Sequence, residues 1–521
     1  MKKLPIGIQT FREIIENNYI YIDKTSLALD IIDNYKYCFL SRPRRFGKSL
    51  FLDTLHNIFE GNKELFKGLS IYEKWDFEDN YPVIKISWGG DFKTLENTEQ
   101  RAIQILQENK KRLGINCESN SSPSGFFEEL IYKVFERYKK KVVILIDEYD
   151  KPILDNLENP QRALENRDFL RSFYVMMKEN DAYIKFVFLT GISKFSKANI
   201  FSGLNNLTDI SLKSKYATIC GYTQANIENE FQDYFKSVDL DRVKEWYNGY
   251  NFLGDRVYNP FDILQFIDNN FMFKNYWWNS GNPYFLITLL KERNYNIPNL
   301  ENITLGEELL NSFEIERLKL EVLLFQSGYL TIKDMVELPF GGFEYTLKIP
   351  NMEVQLSLNN LFLEYLTDEV SLQTKKSLYY SLISSNLEEF KNTFISLFAS
   401  IPYNNYVNNT IGEYEGYYAS VFYAYLSASG FNIIAEDVTN SGRIDITLIL
   451  EEQIYILEFK ITNGLLPSDN SKNNKALSQI KSKNYAQKYL FQNKIIYLVG
   501  IEFDKSQKNI SSFEWEQFSL D

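Results

Sequence analysis

The stretch Arg42-Pro43-Arg44-Arg45-Phe46-Gly47-Lys48-Ser49 and the later pair Asp147-Glu148 have the residue types needed to handle nucleotide phosphates. A phosphate loop needs backbone N–H groups converging at the start of a helix, and a lysine to span the terminal phosphates. Gly47, Lys48 and Ser49 supply the glycine, the ammonium and a hydroxyl for Mg²⁺. Arg42 stands where such a loop usually has its first glycine, so the bare pattern is broken. Arg44 and Arg45 either touch phosphates or are solvated. The apolar run Val142–Ile146 ends in the two acids. Asp147 would hold Mg²⁺, directly or through water, and Glu148 would polarise the attacking water. Thr190 ends another apolar run, where it either senses the γ-phosphate or closes a turn.

A second set of residues suits a different reaction. Gly442-Arg443-Ile444-Asp445 is followed by Glu458-Phe459-Lys460. Hydrolysis of a phosphodiester needs carboxylates to hold a divalent metal, with a base or cation near the attacking water. If a hairpin centres near Glu452, Asp445 lies opposite Phe459, within one residue of both Glu458 and Lys460. Glu458 and Lys460 are two apart and leave the same face of a strand. A surface hairpin with an ordinary ion pair has the same spacing.

The elements that must carry these residues can be read coarsely. Up to about residue 215, short apolar strands alternate with helical segments: Lys36–Leu40, Tyr81–Trp88, Val142–Ile146, Tyr183–Leu189 and a short run at Leu207–Leu212. That alternation implies a parallel sheet in an α/β domain. Residues 216–365 read as a helical and aromatic region with a winged-helix-like helix–turn–strand at Leu323–Ile332. Its aromatics suit a core better than a platform for stacking bases. From 366 onward, helices lead into Tyr417–Leu426, then two strands (Ile444–Leu450 and Ile454–Ile461), a polar loop, a helix over Ala476–Phe491 and a last strand at Lys494–Gly500. Three domains are expected, at 1–215, 216–365 and 366–521.

Composition narrows the chemistry. The one histidine, His56, excludes a multi-histidine metal site. Three scattered cysteines, Cys38, Cys117 and Cys220, without CxxC spacing, argue against a disulfide framework or cysteine-bound zinc. Metal is then held by carboxylates and water, which favours Mg²⁺ or Mn²⁺. No apolar run approaches the ~20 residues of a membrane span. Lys2 and Lys3 are followed by Pro5 and Gly7 rather than an apolar segment, so no signal peptide is expected, and the cytoplasm is the natural compartment. A net charge of −12 argues against a protein that coats nucleic acid, but leaves room for a local basic groove. Lys460, Lys472, Lys475, Lys481, Lys483, Lys488 and Lys494 form such a stretch, or a solvated face.

Several separated motifs then agree in order. Phe11-Arg12-Glu13-Ile14-Ile15, Tyr19–Thr25, the loop from Ser41, Ile144–Asp150 and the segment from Leu189 resemble the bacterial AAA-ATPase-like proteins, relatives of archaeal-type STAND ATPases. In that family the loop carries arginines and lacks a glycine-rich start, so Arg42 fits. The resemblance covers roughly the first 220 residues. It implies ATP binding at Lys48 and Ser49, with Asp147 and Glu148 as the acids and Lys194 as a candidate phosphate sensor. Residues 375–521 resemble the PD-(D/E)XK nuclease superfamily. The matching residues are Glu415, Asp445, Glu458, Lys460, Gln479 and Tyr485, although Ile444 stands where that motif has proline. This resemblance implies that Glu415 (or Glu413 in its place), Asp445 and Glu458 hold metal. Lys460 would position water and stabilise developing charge, and Gln479 would support the site. The lysine-rich stretch would contact the nucleic-acid backbone. The expected activity is an ATP-regulated, Mg²⁺-dependent nuclease acting on DNA or RNA, in defence against foreign nucleic acid. The alternative is an ATP-switched regulator that binds nucleic acid without cutting it. Assembly into a homo-oligomer is left open.

Overall fold

The computed structural model describes residues 1–118, 122–194, 206–280, 303–307, 319–367, 371–401, 415–462 and 474–519. The chain divides into two compact units. The first is Met1–Phe285 with Thr304–Asn351, and the second is Leu286–Ile303 with Met352–Asp521.

The first unit is built on five parallel strands: β1 (Tyr37–Ser41), β2 (Val83–Ser87), β3 (Val142–Asp147), β4 (Ile184–Gly191) and the two-residue β5 (Thr208–Asp209). Their spatial order is β2-β3-β4-β1-β5. Val142–Ile146 are fully buried, as a strand covered on both faces must be. The loop-bearing β1 and the acid-bearing β3 are not neighbours, because β4 pairs with both. Ser41 lies beside Gly191 and Ser87 beside Asp147, so the phosphate loop, the acids and the end of β4 leave the sheet at its C-terminal edge. Ligands of open α/β sheets bind at that edge.

The same unit holds β6 (Tyr222–Thr223) paired with β7 (Val257–Tyr258), and a sheet of β8 (Ile303–Gly306), β9 (Thr331–Glu337) and β10 (Phe343–Lys348) in the order β8-β10-β9. Ile227, Phe231, Tyr247 and Phe266 form a core that also takes in Ile20 and Ile22 from the N-terminal segment. The helix Leu320–Ser327 ends on Gly328, whose φ of +94° suits glycine.

The second unit places the helices Met352–Thr367, Leu372–Ile383, Leu387–Ser400 and Glu415–Ala428 before a five-stranded sheet. Its strands are β11 (Asn432–Val438), β12 (Arg443–Ile449), β13 (Gln453–Thr462), β14 (Ile495–Asp504) and β15 (Asn509–Gln517), in sequence order across the sheet. Only β13 and β14 run parallel, so the chain between them must cross over; the helix Lys475–Ser482 lies on that path. The aromatic stripe of Glu415–Ala428 is core. Phe422 stacks on Phe394 and Tyr418 on Phe503.

Two readings of this region need correction. The expected single helix over 476–491 breaks at Asn484, which takes the left-handed conformation asparagine tolerates. A tighter helix, Tyr485–Gln492, follows. The last strand is not the end of the sheet, since β15 adds an edge, and β11 was unforeseen on the other side. Both carry polar and acidic residues that mask their alternation.

Candidate functional site

Gly47, at φ +91°, turns the phosphate loop into the helix Lys48–Phe59, and Arg45 before it is also left-handed at φ +67°. Lys48 is buried, and its Nζ donates to the carbonyls of Arg42 and Pro43, both at 2.9 Å. Burial pushes this ammonium down, and the nearby Asp147 charge partly offsets that. Glu148 sits in left-handed backbone at φ +53°, a conformation uncommon outside glycine, and its N–H donates to Asp147 Oδ1 at 3.0 Å. Burial, and then the adjacent Asp147 charge, raise the Glu148 carboxyl above its ordinary value. Arg44, Arg45, Gly47, Lys48, Ser49 and Glu148 line one open cleft of about 690 Å³, a size that admits a nucleotide. Thr190 is fully buried and is not on the cleft wall. Lys194 is also off that wall, with its ammonium paired to Asp209 on β5.

Arg42 is a structural cation. It is 1 % exposed, donates to the carbonyls of Ser41, Ser211 and Tyr216, and lies 3.9 Å over the Phe252 ring. Burial brings it down to about 10. The residue that breaks the glycine pattern therefore anchors the loop from below.

In the second unit the β12–β13 ladder pairs Ile446 with Leu457, so one step further Asp445 faces Glu458. The expected partner was Phe459; the hairpin is shifted by one residue, and Phe459 instead donates its N–H to Asp445 Oδ2 at 2.8 Å. Glu458 is buried, and Lys460 Nζ donates to its Oε1 at 3.1 Å. Gln479, from the helix Lys475–Ser482, donates to the same oxygen. The structure thus gathers Asp445, Glu458, Lys460 and Gln479. Glu415 begins the helix Glu415–Ala428, but its side chain lies outside the described residues, as do Glu413 and Lys472. Among the described residues no three histidine, cysteine or acidic side chains group as a metal site.

The comparisons with known proteins bear on both sites. The predicted AAA-ATPase model matches residues 5–201, and the PD-(D/E)XK nuclease superfamily model matches residues 413–513. A relative from Azotobacter chroococcum mcd 1, described as an uncharacterized protein in the vnfD 5' region, is 43% identical over 98% of both chains. The chain belongs to one family with this relative, and carries an AAA-ATPase-like domain and a PD-(D/E)XK nuclease superfamily domain. The solved Aeropyrum pernix ORC1 protein in complex with DNA aligns with 67% of this chain and 96% of its own. The identity is 12% and the TM-score 0.26, a superposition too loose to carry weight.

Sequence reading missed the residues that hold these two domains' sites in place. In the AAA-ATPase-like domain, Asp150 Oδ2 accepts the N–H groups of Ile192 and Ser193, at 3.0 and 2.6 Å, and the Ser193 hydroxyl. Gly191 leaves room for this, since a Cβ there would fall 2.5 Å from Asp150 Oδ1. The acid turn and the end of β4 are knitted into one piece. The loop tip is gripped from the middle region. Asn259 and Trp277 donate to the Arg44 carbonyl at 3.4 and 3.2 Å, and Phe261 lies under the Arg45 guanidinium at 5.2 Å. The aromatic motifs around Asn259 and Trp277 were the available signal.

In the nuclease-like domain, Gly500 neighbours Glu458 across the β13–β14 ladder. A Cβ on Gly500 would fall 2.3 Å from the Leu477 nitrogen, so glycine lets the Gln479 helix lie against the sheet. Asn474 caps that helix at the Leu477 N–H and also donates to the Gly500 carbonyl. The lysine-rich stretch is less free than its composition implied. Lys460, Lys481 and Lys488 pair with Glu458, Glu516 and Asp437, and Lys494 donates to the Leu450 carbonyl. Lys475 and Lys483 form no ion pair among the described residues.

Proposed function

We propose that this chain binds and hydrolyses ATP in its AAA-ATPase-like domain, and that nucleotide state controls Mg²⁺-dependent cleavage of nucleic-acid phosphodiesters by its nuclease-like domain. The observation that carries the reading is that Lys460 and Gln479, from a strand and a helix, both donate to the buried Glu458 carboxylate, while Asp445 on the neighbouring strand accepts the N–H of Phe459 beside it.

The donor sets fit the groups they would take. Ser49, on the cleft wall, and Asp147, which is not on that wall but whose charge reaches Lys48, offer hard oxygens to Mg²⁺, and Arg44 and Arg45 line the cleft to meet phosphate. Lys48 rests on two neutral carbonyls, which a phosphate would outbid for the ammonium. Glu148, with its raised carboxyl, is suited to take a proton from the attacking water at its carboxylate. In the second domain Asp445 and Glu458, with Glu415 as third acid, supply only oxygen donors, which suit Mg²⁺ or Mn²⁺. Such a metal, when bound, lowers the pKa of water and spreads phosphate charge. Lys460 would steady the charge that develops on the scissile phosphate, and Gln479 fixes the Glu458 rotamer.

The test is a cleavage assay on DNA and RNA with Mg²⁺, with and without ATP, using Lys48→Ala and Lys460→Ala. Lys460→Ala should lose cutting by roughly 100-fold or more with ATP hydrolysis intact. Lys48→Ala should lose ATP binding and the effect of ATP on cutting. A wild-type chain that cuts neither polymer would sink the hydrolytic reading and favour ATP-switched binding.

A further inference from the structure

Gln326 stands where both walls of the nucleotide cleft can be felt. It lies near the end of the helix Leu320–Ser327 and is 5% exposed. Its Oε1 accepts the backbone N–H of Lys194 at 2.9 Å. Lys194 follows Ser193, whose N–H and hydroxyl both donate to Asp150. Asp150 closes the turn that carries Asp147 and Glu148. Hydrogen bonds therefore run from the acid turn to this helix.

Two residues beyond Gln326, Gly328 abuts the phosphate loop. A Cβ at Gly328 would fall 2.7 Å from Pro43 Cβ. The Pro43 carbonyl is one of the two that hold Lys48 Nζ. One turn of chain thus touches the loop that carries Lys48 and, through Lys194, the turn that carries the acids.

The packing around Gln326 is not filled. Cavities of about 50 and 30 Å³ flank it, the first lined by Arg44, Ser193 and Trp277, the second by Arg42, Pro43 and Lys194. The side chain therefore borders open space on both the phosphate-loop side and the Lys194 side. Beyond the helix the chain forms β9 and β10. The first unit ends at Asn351, and Met352 opens the first helix of the second unit.

We propose that Gln326 is a positioning residue through which the helix Leu320–Ser327 reads the nucleotide state. In the structure Lys48 rests on the Arg42 and Pro43 carbonyls and Gln326 holds Lys194. A phosphate that draws Lys48 away shifts the Pro43–Gly328 contact and remakes the Gln326–Lys194 bond. The response then passes along the chain that enters the second unit. This inference rests on the ATP reading above.

The test is hydrogen–deuterium exchange on the full chain, with and without ATP and Mg²⁺, with ATP affinity measured in parallel by calorimetry. In wild type, ATP should change the exchange rate over residues 319–337 by about threefold or more. Gln326→Leu, which removes the acceptor, should abolish that response while ATP affinity stays within about threefold. Gln326→Glu, which keeps an acceptor, should restore it. The inference is overturned if wild type binds ATP with no change in this segment, if Gln326→Leu responds as wild type does, if Gln326→Leu loses ATP binding, or if Gln326→Glu fails as Leu does. Failure of wild type to bind ATP in calorimetry is a separate outcome that removes the ATP reading itself.

Discussion

Lys48 and Lys460 are both held by oxygens, but of different kinds. Lys48 touches two neutral carbonyls, whereas Lys460 touches a carboxylate and the Phe459 carbonyl. Neutral carbonyls hold an ammonium less strongly than a carboxylate does, so the first is the more easily redirected and the second stays fixed beside Glu458. These residue types and spacings were legible from sequence, because chemistry constrains the side chain itself. Asp150 and Gly500 were not, because they act on backbone geometry that only the fold reveals. Gly500→Ala should therefore lower the melting temperature by several degrees and disable cutting while leaving ATP binding intact; unchanged thermal denaturation and cutting would remove the packing argument.

His56 gives a pH test at the same scale. Its Nε2 lies 2.8 Å from Glu60 and its Nδ1 3.8 Å from Asp53. Burial alone would lower its pKa, but the Asp53 and Glu60 carboxylates beside the ring outweigh burial and raise it above 6.5. A raised histidine stabilises the fold below its unfolded value, and that contribution is lost as pH rises through the folded value. Asp53 behaves in the opposite sense. Burial would raise it, but the adjacent His56 ring and the hydrogen bond from Lys85 bring it to about 2, so its contribution is held above the ordinary carboxylate range and lost as pH falls toward 2. The single imidazole resonance in an NMR titration should have its midpoint above 6.5. A midpoint at or below that value would show that these contacts do not hold in solution.

At the scale of elements, the middle region acquires a role that its sequence did not disclose. Its aromatic motifs read as core, and much of it is core, yet Asn259, Phe261 and Trp277 also fix the tip of the phosphate loop. Such contacts join residues more than 200 positions apart, which no local pattern encodes. Trp277→Phe keeps the ring and removes the donor to Arg44. It should weaken ATP binding by roughly fivefold, the worth of one hydrogen bond of about 1 kcal/mol, measured by calorimetry. The strand-and-acid framework was legible because apolar runs ending in charge mark buried strands. The β12–β13 register was read one residue out, because the turn around Glu451 and Glu452 does not fix its own centre.

The nuclease-like domain also depends on a buried pair away from its candidate centre. Asp437 is 3% exposed and accepts from Thr447, Lys488 and Tyr489. Asp437→Ala should cost about 2 kcal/mol in denaturant unfolding, below the ~3–5 for a fully buried pair because Lys488 is partly exposed. A change under 0.5 kcal/mol would contradict that placement.

At the scale of the whole molecule, one chain carries two candidate sites on two compact units, each with its own sheet. The charge balance of −12 belongs to the sum of the two and says little about either site. If the centres are separable, damage to one should spare the other's own reaction and alter only the control between them. The most direct test of the account is the cleavage rate of Asp445→Asn against wild type across a Mg²⁺ titration, at saturating ATP. The account predicts Mg²⁺-dependent cutting by wild type and a loss of about 100-fold or more in the variant, with ATP hydrolysis unchanged. Equal cutting by both proteins, at any Mg²⁺ concentration, would contradict it.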